Sequence, residues 1–338
     1  MFDDARLDDP EALAAADPEL RRLAEAGARV RREVGACAET LDALAGEDDL
    51  PRAVVAAGAE SRLLRAVLEP WCPVPFVAWP GPGLPGWAGG LDTVLVVAQT
   101  SGDPAATSAV AEATRRGCGL VLAADPHSEI AELAASRHTA LLPTTTGDSM
   151  AAAVALLQAL HVLGLGPDVE AETVATALDE VAVACSPFLP ISGNPAKELA
   201  LALADASPLL WGGSVLSARA ARRVAETLRR ATGRSALAAD ADHLLPVLEA
   251  VAPRDVFADP YDDGVAAVRP VLLVLDDGTD AAQVRQQRGR LLSVAESQHV
   301  RVETLRAERG SATARYASLL SHGSYAAAYV GVGLGTSS

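Results

Sequence analysis

Short, continuously apolar runs alternate with stretches of helical periodicity along almost the whole chain. This pattern restricts the chain to parallel strands in sheets covered by helices on both faces. In the first half the apolar runs fall at Ala53–Ala57, Val74–Trp79, Thr93–Ala98, Gly119–Ala123 and Thr139–Leu142. Helices are expected between them, from about Ser61 through Val67, at Pro104–Arg116 and at Ser128–Ala135. The series restarts with strands at Pro208–Trp211, Ser235–Ala238, Pro270–Leu275 and Val300–Thr304. The helices between and after these are expected at Ser217–Ala231, His243–Val251, Ala281–Glu296 and from Ala312 onward. The expectation is an α/β fold of two lobes, each a doubly wound, mostly parallel sheet. The first lobe takes residues 47–150 and the second residues 187–338. A helical bridge over 151–186, split at Gly164-Leu165-Gly166-Pro167, joins them. Residues 1–46 form an N-terminal helical segment, read as one long helix from Pro10 to Cys37 and a short one from Glu39.

In open sheets of this kind ligands sit beyond the carboxyl ends of the strands, which directs attention to the turns after Ala57, Ala98 and Trp211. The second of these carries Thr100-Ser101-Gly102-Asp103 and then Thr107 in the helix that follows. A helix N-terminus has unpaired backbone N–H groups and a partial positive charge. Hydroxyls around it can therefore complete an anion site without any Lys or Arg. The competing account is that Ser101 and Asp103 only cap the helix and shape the turn.

Net charge narrows the ligands. A formal charge of −16 over 338 residues disfavours nucleic acid and anionic lipid, both of which need basic surfaces, but leaves room for a small phosphorylated molecule in a local pocket. The N-terminus has no basic leader and no apolar run reaches membrane-spanning length, so a cytoplasmic location is expected. Cys37, Cys72, Cys118 and Cys185 show no CxxC spacing and read as free thiols. The six histidines show no HxxxH or HExxH spacing, so neither a metal nor another cofactor is expected.

Three segments carry a family resemblance: the strand leading to Gly58 and Ser61, Leu84-Pro85-Gly86-Trp87 before the Ser101-Gly102-Asp103 turn, and Asn194-Pro195-Ala196-Lys197-Glu198-Leu199-Ala200 leading to Pro208-Leu209-Leu210-Trp211-Gly212. Together, from about Asp48 to Gly335, they resemble the two-lobed sugar isomerase (SIS) proteins, and more narrowly the bifunctional phosphoglucose/phosphomannose isomerases. The resemblance implies two SIS lobes, a hexose 6-phosphate or related small anion as ligand, and a homodimer. It also implies aldose–ketose isomerisation, which needs a carboxylate base, an acid–base group for ring opening and a cation near the developing oxyanion. The family's phosphate serine falls on Ser61. Its second phosphate loop, Ser-Tyr-Ser-Gly-Asn-Thr-x-Glu-Thr, is matched by Ser101, Gly102 and Thr107. Thr100 is also a candidate ligand there, while Asp103 and Pro104 depart from the pattern.

The catalytic positions depart further. Arg230 stands where the resemblance places the glutamate base, and an arginine cannot accept that proton. Ser149 stands where an arginine is expected, and the chain ends before the family's C-terminal lysine. His243 is the matching histidine. Glu226, one turn before Arg230, and Lys197 are the groups that would have to substitute, although Glu226 equally suits a solvated helix face beside Arg222, Arg229 or Arg230, and Lys197 a packing role. These departures imply a sugar-phosphate-binding protein that is catalytically impaired and serves in sensing or scaffolding. The alternatives are an active isomerase with relocated groups and a dimerisation module with a vestigial site. Trp71, Trp79 and Trp87 among closely spaced prolines suggest a carbohydrate-stacking surface, but indoles packed beneath a rigid connection are the simpler expectation. Asp259-Pro260-Tyr261-Asp262-Asp263-Gly264 reads as an exposed acidic loop, since it lacks the ligand periodicity of an EF-hand.

Overall fold

The computed structural model describes residues 2–46, 49–98, 102–251 and 268–336. Its helices are α1 (Pro10–Ala15), α2 (Asp17–Ala24), α3 (Ala26–Ala36), α4 (Ala38–Leu44), α5 (Ser61–Leu68), α6 (Pro104–Arg116), α7 (Glu129–Ala134), α8 (Ser149–Val162), α9 (Ala171–Ala184), α10 (Pro195–Leu203), α11 (Val215–Thr232), α12 (Ala241–Glu249), α13 (Ala282–Ser297) and α14 (Ala312–Leu334). The strands are β1 (Val54–Ala57), β2 (Phe76–Trp79), β3 (Thr93–Val97), β4 (Gly119–Ala124), β5 (Thr139–Pro143), β6 (Ala206–Gly212), β7 (Leu237–Ala238), β8 (Arg269–Asp276) and β9 (Arg301–Arg306).

The chain divides into two compact units, residues 26–176 and residues 1–25 with 177–338. In the first, five strands pair in parallel in the order β2-β1-β3-β4-β5. Val55, Val94, Val96, Leu120 and Leu122 pack on the small face of α6, where Ala106, Ala109, Val110 and Ala113 are fully buried. That row of alanines lets helix and sheet approach closely. On the opposite side of the unit α8 packs on α3, and its residues 151–157 are all buried. An apolar circumference of this kind explains why the segment from Ala151 reads as helix without a clear polar face. Residues 151–162, expected as bridge, thus belong to the first unit.

The second unit carries the parallel order β7-β6-β8-β9. One face of its sheet packs Leu209, Trp211, Leu272 and Val274 against Leu244 and Leu248 of α12 and Leu291 of α13. Elsewhere in this unit α11 and α14 pack so closely that a Cβ on Gly323 would lie 2.3 Å from Val224 Cγ2. Residues 1–25 belong to this unit: the Asp3 amide donates to Gly333 O at 2.9 Å and Arg6 Nε donates to Val332 O at 2.8 Å.

The long helix expected from Pro10 to Cys37 is therefore three helices. Pro18 near the start of α2 has no N–H to continue the ladder from α1, and the next break, at Glu25, is where the chain passes from one unit to the other. A second departure concerns the tryptophans. Trp71 and Trp87 are 67% and 48% exposed rather than packed under the proline-rich connection, and the Arg52 guanidinium lies 6.0 Å above the Trp87 ring. No helix among the described residues is long and apolar enough to cross a membrane.

Candidate functional site

In both sheets the strand order reverses beside the first strand of the unit, between β1 and β3 and between β6 and β8. Such a switch point opens a crevice at the carboxyl ends of the strands. In the first unit Gly58, at φ +79°, and Asp103, the N-cap of α6, lie at this end of the sheet. Here the structure brings together two segments 44 residues apart. Asp103 caps α6 by accepting from the Ala105 amide at 2.9 Å, and its second oxygen accepts from the Ala59 amide at 3.2 Å. Gly58 is required where it stands, because an added Cβ would sit 3.2 Å from that same carboxylate oxygen in a left-handed backbone conformation.

Ser61 opens α5 three residues after Gly58, fully buried, with its hydroxyl unpartnered. Buried hydroxyls are ordinarily paired, so this one has hydrogen-bonding capacity to spare beside the Gly58 turn. Gly102, with φ +50°, is exposed, and Thr107 turns its hydroxyl back onto Asp103 O at 3.1 Å within its own helix. Thr100 and Ser101 lie outside the described residues. Trp79 ends the edge strand β2 level with Ala57 and is 36% exposed, one strand spacing from the Gly58 turn.

The hydroxyl-rich loop after β5 has its own carboxylates. Glu33 of α3, almost wholly buried, accepts from the amides of Thr145 and Thr146, the former at 2.9 Å. Asp148 caps α8 through the Met150 and Ala151 amides and pairs with Arg29 at 2.9 Å. Ser149, the position at which the resemblance expects an arginine, is simply the first residue of α8.

At the switch point of the second unit the same arrangement recurs with residues that sequence reasoning did not single out. Ser214 caps α11 in a capping box with Ser217, and its hydroxyl donates a short hydrogen bond to Asp277, which follows β8. Asp276 ends β8 and pairs with Arg288 at 2.7 Å. The available signals were Gly212-Gly213-Ser214 and Asp276-Asp277-Gly278, each closing an apolar run. A Cβ on Gly212 would lie 2.2 Å from the Ser217 backbone, so the strand can turn into α11 there only through glycine.

The proposed acid–base groups are not gathered. Lys197 is fully buried and its ammonium is saturated, donating to Asp8 at 2.8 Å, Leu189 O at 2.8 Å and Pro187 O at 3.1 Å, above the Tyr329 ring. It is held as a structural cation and has no donor left for a ligand. His243 is exposed in the first turn of α12, after β7 and hence at the carboxyl edge of its sheet. Glu226 lies twelve residues along α11 from Ser214, about 18 Å down the helix toward the opposite edge. It makes no ion pair among the described residues: Arg222 pairs with Asp240 at 3.4 Å and Arg229 donates to Ala236 O. Arg230 is exposed. The acidic loop at Asp259–Gly264 falls outside the described residues, and no cluster of three or more metal-ligating side chains occurs among those described.

Residues 192–337 match the bacterial phospho-glucose isomerase C-terminal SIS domain. The second lobe thus carries a SIS domain. A protein provisionally described as a phosphosugar isomerase, from Silicibacter pomeroyi, superposes with a TM-score of 0.64 at 17% identity, over 92% of this chain and 96% of that one. Tagatose-6-phosphate ketose/aldose isomerase from Escherichia coli gives 0.62 at 11% identity, over 96% and 93%. A glucose-6-phosphate isomerase like protein from Thermus thermophilus gives 0.57 at 17% identity, over 98% and 93%. At these identities the superpositions establish the fold of both lobes and leave chemistry to the residues. No curated protein matches the chain by sequence.

Proposed function

We propose that this SIS protein binds a hexose 6-phosphate or a related small anion at the turns of its first lobe without isomerising it, and acts in sensing or scaffolding. The observation that carries the reading is Ser61. A buried hydroxyl without a partner stands at the switch point of a sheet, on a helix N-terminus, where the fold's relatives include phosphosugar isomerases. The amides of Ala59 and Ala105 are the neighbouring donors suited to phosphate oxygens.

The reading that turnover is absent rests on proton chemistry. Moving a proton between adjacent sugar carbons requires a carboxylate within hydrogen-bond reach of that carbon and an acid near the ring oxygen. Lys197 is saturated by its own lobe, Glu226 and His243 belong to opposite edges of theirs, and Arg230 stands at the expected base. Under this reading the protein is a cytoplasmic homodimer with no cofactor, the dimer being testable by light scattering on the purified chain.

The deciding experiment is thermal denaturation of the purified protein with glucose 6-phosphate, mannose 6-phosphate, fructose 6-phosphate and inorganic phosphate, with isomerase turnover followed on the same samples. A ligand bound only by the folded state raises the melting temperature by mass action. Stabilisation without turnover is expected. Turnover would identify an active isomerase with relocated groups, and no stabilisation by any ligand would reduce the turn to a helix cap.

A further inference from the structure

Asp103 bridges the turn after β1 and the first turn of α6. Its two carboxylate oxygens accept from Ala105, at the start of α6, and from Ala59, on the turn between β1 and α5, so one side chain spans both walls of the crevice. Asp103 has no cationic partner among the described residues. Asp148, which caps α8 by similar geometry, is instead neutralised by Arg29. Among the described residues, the Asp103 charge is balanced by backbone amides and the helix dipole, the kind of groups that balance a phosphate.

We propose that Asp103 is an internal anion that competes with the ligand's phosphate for the first-lobe crevice and thereby sets its affinity. This inference rests on the binding reading above. Two anions cannot share these amides: the carboxylate must swing away from Ala59 before a phosphate oxygen can accept there, and its charge continues to repel the phosphate from nearby. The buried Ser61 hydroxyl fits the same picture. The internal carboxylate satisfies the amides around it and leaves the hydroxyl unpaired, so an arriving phosphate gains that bond in addition to those it takes over. The crevice therefore discriminates by charge, holding simple phosphate weakly and favouring ligands whose sugar adds contacts enough to displace the carboxylate.

The test is Asp103→Asn, with Asp103→Ser as a second variant. Asparagine and serine are both good helix N-caps, so α6 keeps its start while the charge is removed. Titration calorimetry of wild type and both variants with inorganic phosphate, glucose 6-phosphate and unphosphorylated glucose reads the competition directly. The variants are expected to bind inorganic phosphate and glucose 6-phosphate about tenfold tighter or more, with no change for glucose. If the wild type binds the phosphates and the variants bind them no tighter, or more weakly, the internal-anion proposal is overturned while the binding reading stands. If none of the three proteins binds any phosphate, both fall.

Discussion

Lys197 and Asp8, 189 positions apart in the sequence, form an ion pair of 2.8 Å whose ammonium is wholly buried and whose carboxylate is 43% exposed at the side chain. The pair fastens the N-terminal segment to the second lobe. The hydrogen bond from Lys197 holds the Asp8 carboxyl below its usual range, with the Ile191 amide adding to the effect and burial opposing it.

Removing the carboxylate leaves a buried cation with only carbonyl partners. Asp8→Asn is expected to destabilise the protein by about 1–3 kcal/mol, less than for a fully buried pair because Asp8 is half in water. Because the folded-state value lies below the unfolded one, near 3.8, the contribution is complete above that pH and disappears as pH falls through the folded value. Urea midpoints of wild type and Asp8→Asn should therefore differ most near neutral pH and converge in acid. A constant difference down to about pH 2 would show that the pair's charge is not what holds the segment.

Ser61 separates stability from binding. Its hydroxyl is buried without a partner, so Ser61→Ala removes an unsatisfied polar group and should raise the ligand-free stability by up to about 1 kcal/mol. The same change should weaken hexose phosphate binding by about 1 kcal/mol. A variant that loses stability instead would mean that the hydroxyl is engaged in the free protein.

Trp79 lies on the edge strand level with Ala57, beside the crevice, and its indole donates to Pro82 O at 3.3 Å. An indole so fixed can support a sugar ring but contributes nothing to a bare phosphate. Trp79→Ala should weaken glucose 6-phosphate by about 1 kcal/mol or more and leave inorganic phosphate unchanged, as read by calorimetry. Equal losses for both ligands would place the tryptophan in the scaffold alone.

Two glycines of the second lobe should respond in opposite directions. A methyl at Gly212 would overlap the Ser217 backbone, which cannot yield as a flexible side chain could, so Gly212→Ala should cost about 3 kcal/mol or more. Gly289 is exposed within α13 with open space around it, and Gly289→Ala should stabilise by about 0.5–1 kcal/mol through helix propensity. Melting temperatures of the two variants decide both claims.

The layout of strands and helices was legible in the sequence because it depends on local periodicity. Val94–Val97 is apolar at every position, as a strand buried on both faces must be, and Ala106, Ala109, Val110 and Ala113 recur at helical spacing. The glycine-bearing turns after β1 and β6 were likewise visible, since a chain that must turn sharply there has few other choices. What the sequence could not show was which group fills each turn. Asp103 reaches Ala59 across 44 residues, Glu33 reaches Thr145 across 112, and Lys197 reaches Asp8 across 189. An aspartate before a proline announces a helix cap, and Asp103 is one, but only the meeting of β1 and β3 gives its second oxygen a partner on another turn. A lysine in Asn-Pro-Ala-Lys reads equally well as a ligand-facing cation or a packing residue until the N-terminal segment folds back to neutralise it. Periodicity is a property of neighbours along the chain and so is written in the sequence. The pairing of buried charges depends on distances that exist only once the sheets have closed, and tertiary structure alone decided it.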